Sequence, residues 1–123
     1  MAMTLGGSSG IVFNDGTSQT TGQQACKAWV NFNGTGTVTI RAAFNVSSIT
    51  DNASGDYVVN FTTAMPDVNY AFMASCGNTT GLGTNPSVTT RTQASTTTSA
   101  RVILNSGTGG APDLDTISVA IFR

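Results

Sequence analysis

Residues able to do acid–base or ligand chemistry are few in this chain: six Asp, two Cys and five Lys or Arg, with no His and no Glu. Without an imidazole the chain has no His ligand for a metal and no His to activate a Ser or Cys, and without Glu it has no glutamate general acid. The nearest approaches to paired carboxylates are Asp113-Leu114-Asp115 and the segment Asp51 to Asp56. The second lacks the ligand spacing and the closing bidentate Glu of a calcium loop and reads as a turn. Asp113 and Asp115 read as a solvated loop before the last strand. Gly81-Leu82-Gly83 lacks the following helix and the Lys of a phosphate-binding loop. Cys26 and Cys76 read as small buried thiols in a reducing cytoplasm; a disulfide between them stays open, because sequence does not place their Cα atoms. The chain is therefore expected not to be an enzyme, with no catalytic residue, no metal and no cofactor.

The charged residues supply 9% of the chain and a formal net charge of -1, which offers no field to a polyanion, so no nucleic-acid partner is expected. No stretch approaches the ~20 apolar residues of a membrane span, so no membrane insertion is expected. Met1 to Gly10 lacks the basic and apolar regions of a secretory signal, so synthesis and assembly in a cytoplasm are expected. At 123 residues the chain suits one domain with a modest core, and self-association would add to its stability.

The elements that must position these residues are strands. Thr, Ser, Asn and Gly make up almost half of the chain, and no window repeats apolar residues at helical spacing. Alternation places strands near Lys27 to Asn33, Thr37 to Phe44, Val46 to Thr50, Asp56 to Thr62, Tyr70 to Cys76, Ser87 to Thr92, Ala100 to Asn105 and Thr116 to Phe122. Tight hairpins with positive φ are expected at Asn33 to Gly36 and at Asp51 to Gly55. Eight short strands separated by turn signals predict an all-β fold, an antiparallel β-sandwich or jelly-roll-like domain over residues 25–123.

Residues 1–24 form an N-terminal arm, Gly- and Ser-rich, with the short apolar run Ile11-Val12-Phe13 as a sticky strand for oligomerisation or attachment. Tyr70 to Ala74 and Val102 to Leu104 are apolar on both faces, which predicts that the second face meets another subunit. The aromatic residues are expected mostly in the core; a sugar-stacking platform would need two of them exposed together. Trp29 is out of phase with Ala28, Val30 and Phe32, so either it or they face away from the core.

The run Cys26-Lys27-Ala28-Trp29-Val30-Asn31-Phe32-Asn33-Gly34-Thr35-Gly36, continued by Ile40-Arg41, by Phe44 to Asn52, by Gly55-Asp56-Tyr57, by Asn60-Phe61-Thr62 and by Ala64 to Tyr70, resembles a C-terminal domain of tail-fibre and related virion proteins of tailed bacteriophages, many from aquatic hosts. Ile117 to Arg123 resembles the closing strand of that domain, and Gly10 to Thr21 the linker that precedes it. The resemblance implies a β-sandwich module, commonly homotrimeric, on the outside of a virion, with adhesive or structural duties. On that reading the N-terminal arm attaches to other virion proteins, and Asn78, Thr79, Thr80, Asn85 and Asp113 are candidate contacts to a host surface glycan or protein. The part expected to reach the particle is about two dozen residues, so a head-decoration, capsid-fibre or cement protein with no receptor role is the alternative.

Overall fold

The computed structural model describes residues 11–12, 18–19, 26–78, 86–89, 95–106 and 110–123. The strands are β1 (Ile11–Val12), β2 (Ser18–Gln19), β3 (Cys26–Asn33), β4 (Thr39–Phe44), β5 (Val46–Ala53), β6 (Asp56–Phe61), β7 (Ala71–Gly77), β8 (Pro86–Thr89), β9 (Ser99–Ser106) and β10 (Thr116–Phe122). Two four-stranded antiparallel sheets, ordered β4-β3-β10-β7 and β5-β6-β9-β8, pack face to face as a β-sandwich. In the arm, β1 pairs antiparallel with β2, so Ile11 and Val12 have their strand partner within the arm, opposite Gln19 and Ser18. Phe13 lies outside the described residues.

Period-2 alternation builds the core. Ala28, Val30 and Phe32 of β3 and Ile117, Val119 and Ile121 of β10 face Tyr57, Val59 and Phe61 of β6 and Ala100, Val102 and Leu104 of β9, all buried. The Phe32 and Tyr57 rings meet edge to face at 5.3 Å, and Phe61 meets Tyr70 the same way at 6.0 Å. This is the geometry that sets the positive edge of one ring against the negative face of the other. Met65 and Leu114 close the ends of the core.

Asn45 turns the chain from the first sheet to the second. Its φ of 55° is left-handed, a conformation that Asn tolerates better than most side chains. Its Nδ2 donates to the Lys27 carbonyl at 2.9 Å and to the Thr63 carbonyl at 3.1 Å, while its Oδ1 accepts from the Thr63 amide at 2.7 Å. One side chain thus ties both sheets to the loop after β6.

The expected hairpins differ in detail. Asn33 pairs with Thr39, so the first turn is a five-residue loop, with Asn33 Oδ1 accepting from the Thr35 amide and Gly36 at φ 63°. β5 runs past Asp51 through a bulge to Ala53, which leaves Ser54 and Gly55, the latter at φ 66°, as the turn itself. Cys26 and Cys76 are not joined in a disulfide. Cys26 stands beside Phe122 on β10 and Cys76 beside Ile117. That offset is on the order of 17 Å along the strand, beyond disulfide reach.

Candidate functional site

The two outer faces of the sandwich differ in chemistry. On β5-β6-β9 the outward side chains are mostly polar, with Val58 and Ile103 half-buried among them: Asn60 Nδ2 donates to Ser48 Oγ at 3.0 Å and to Thr50 Oγ1 at 2.9 Å, and Arg101 forms a two-point ion pair with Asp56. The Arg101 hydrogen bonds hold the Asp56 carboxyl below its ordinary pKa, against a smaller desolvation effect. The polar groups of this face bond chiefly to one another.

The outer face of β4-β3-β10-β7 is apolar through its middle. Phe44 pairs with Trp29, Trp29 with Ala120 and Ala120 with Met73, so these four residues form one row across all four strands. Trp29 is 40% exposed, Phe44 54% and Met73 64%. Phe122 adds a further exposed ring on β10. Between Trp29 and Met73, over the small Ala120, runs a groove of about 340 Å³ whose polar members are Asn31, Ser75 and Ser118. Asn31 Nδ2 donates to Ser118 Oγ at 2.9 Å, which fixes one wall of the groove.

One cation reaches this face: Arg41 Nη1 lies within 3.5 Å of Oδ1 of Asn31, two residues after Trp29. Lys27 sits in a bulge on the other side of Trp29, since Ala28 pairs with Ile121 and Cys26 with Phe122. Neither has a carboxylate partner; the two ion pairs among the described residues are Arg101–Asp56 and Arg123–Asp67. Lys27 and Arg123 also line a second cavity of about 330 Å³ with Asn45 and Met65. The Arg123 hydrogen bond holds Asp67 below its ordinary pKa.

The position of Phe44 is one that simple alternation misses. Ile40 points inward opposite Phe32, and strict alternation from it would put Ala42 and Phe44 in the core. A bulge at Arg41 shifts the register, so Ala42 faces outward beside Asn31, and Phe44 beside Trp29. Met73 was signalled by its two-faced apolar strand. Of the expected core aromatics, Phe44 and Phe122 instead lie on the surface; Trp29, out of phase with the buried Ala28, Val30 and Phe32, is the one that faces away from the core, and it and Phe44 are exposed together.

The other candidates fall elsewhere. Asn78 is exposed just past β7, and Thr79, Thr80 and Asn85 lie outside the described residues. Asp113 is exposed, yet its Oδ1 accepts from the Gly55 amide and from the Tyr57 hydroxyl, each at 2.7 Å, so it ties the segment before β10 to the start of β6. The Tyr57 hydroxyl also lies 3.0 Å from the Gly34 carbonyl. Burial first, and the Asp113 carboxylate second, push the Tyr57 pKa well up. Burial likewise raises the Cys76 thiol, which favours the unreactive protonated form. No group of three or more His, Cys, Asp or Glu among the described residues is placed to hold a metal ion, and no helix among them is long and apolar enough to cross a membrane. No family model, no curated protein and no solved structure matches this chain.

Proposed function

We propose that this chain is a structural module on the outside of a tailed-phage particle, a homotrimeric tail-fibre or tail-tip unit that attaches through its N-terminal arm and touches the host surface. What carries the reading is the row Phe44–Trp29–Ala120–Met73. A single soluble domain seldom leaves a continuous apolar band open to water, and such a band marks a contact surface. Its position across the centre of one sheet, with a mostly polar face on the opposite side, suits a subunit that hides one surface against copies of itself and shows the other outward. The fold adds a second support, since a β-sandwich with no helix among the described residues suits the virion module that the sequence resembles.

Two measurements test this reading. Sedimentation of the purified chain at micromolar concentration is expected to give a trimer, and a monomer would sink the self-assembling part. An antibody to the chain is expected to label the tail of intact particles. Labelling on the head would turn the reading into a decoration protein, and no labelling of any particle would end it.

A further inference from the structure

We infer that copies of this chain meet heterologously, the Trp29 face of one against the Asp51–Asp113 end of the next, so that the contact closes into a ring. This rests on the reading of the chain as a self-assembling module and specifies which two surfaces touch. Arg41 stands beside the apolar row with its Nη1 3.5 Å from Asn31 Oδ1, and no carboxylate among the described residues pairs with it. The strands of that outer face carry no Asp of their own. Two copies placed face to face would bring Arg41 to the contact with no carboxylate from those strands to meet it, and like charges juxtaposed across an interface cost affinity.

The complementary charge lies on another part of the same molecule. Asp51 is exposed on β5 and pairs with no cation among the described residues, and among them Asp113 accepts from the Gly55 amide and the Tyr57 hydroxyl. Asp51 pairs with Tyr57 across β5 and β6, and Asp113 accepts from the Tyr57 hydroxyl, so both carboxylates belong to one end of the sandwich. There Ala53 and Ala111 are exposed and Pro112 is half-buried, which gives the apolar row small, weakly hydrated groups to cover. A surface with the unpaired cation Arg41 and a different surface with carboxylates that meet no cation among the described residues make a self-complementary pair only when the contact is head to tail, and a head-to-tail contact gives a ring when its rotation closes.

Charge exchange tests the pairing in the full chain. Asp51 and Arg41 are both exposed and outside the core, so Asp51→Arg and Arg41→Asp are expected to fold, which circular dichroism and thermal unfolding check. By sedimentation each single variant is expected to weaken assembly at least about tenfold, because each puts like charges across the contact. The double variant Arg41→Asp/Asp51→Arg is expected to restore it. An oligomeric wild type whose Asp51→Arg variant assembles unchanged, or whose double variant is as weak as the Arg41→Asp single, overturns the head-to-tail pairing and leaves the self-assembling module standing. A monomeric wild type that binds a soluble glycan through Trp29 overturns both.

Discussion

Tyr57 carries more of the fold than its place on one strand suggests. Its ring is fully buried against Phe32 and its hydroxyl lies between the Gly34 carbonyl and Asp113. Gly34 is needed there: a Cβ at that position would lie 2.8 Å from Ile117 Cδ1 and closer still to the Tyr57 hydroxyl. Tyr57→Phe keeps the ring and removes the hydroxyl, so unfolding by denaturant is expected to show a loss of about 1–3 kcal/mol. The same residue sets an alkaline limit. An unfolded Tyr ionises near pH 10, while burial and Asp113 keep folded Tyr57 protonated beyond that. Above about pH 10 the unfolded chain therefore loses a proton that the folded chain retains, and stability falls as pH rises. Tyr57→Phe is expected to shrink that alkaline decline but not to abolish it, because Tyr70 is also raised by burial. An unchanged pH profile in the variant would contradict this assignment.

Among the elements, the corner at Asn45 is the joint on which the sandwich depends. β4 ends and β5 begins on either side of it, and one amide satisfies two carbonyls and one backbone N–H. Asn45→Ala loses those bonds and places a Cβ without polar recourse at positive φ, for an expected cost of about 2–4 kcal/mol. Asn45→Gly loses the bonds yet fits the backbone and is expected to cost less. Equal losses in the two variants, measured by denaturant midpoint, would show that the left-handed turn carries no strain. The segment before β10 acts as a strap over the hairpin ends: the Gly34 amide donates to the Leu114 carbonyl, Ser54 Oγ to the Ala111 carbonyl and the Gly55 amide to Asp113. Asp113, expected from sequence as a surface contact, thus has a structural duty as well.

For the whole molecule, the two outer faces divide the work. The β5-β6-β9 face bonds its polar groups chiefly to one another, while the opposite face leaves Trp29, Phe44 and Met73 in water. Fully burying a side chain of that kind is worth roughly 1.5–3 kcal/mol, so contact over this face adds a few kcal/mol per copy to a modest core. Trp29→Ser with Met73→Ser is expected to leave the fold intact, since neither side chain lies in the core cluster, and to convert the assembled form into monomer by sedimentation. Persistence of the oligomer would move the contact to another surface.

Composition and alternation were enough to determine the strand class, the eight strands of the sandwich to within a few residues and most of the core. A scarcity of helix formers and a period of two leave a chain few other ways to bury Val30, Val59, Val102 and Val119. They also pointed to β7 as a strand with two apolar faces. Tertiary structure alone decided how the strands are ordered, that Cys26 and Cys76 stand too far apart to bond, and that Phe44 joins Trp29 on the surface. The reason is that register depends on long-range pairing: a single bulged residue at Arg41 reverses every side chain after it, and no local pattern around Ala42 to Phe44 records which strand lies alongside.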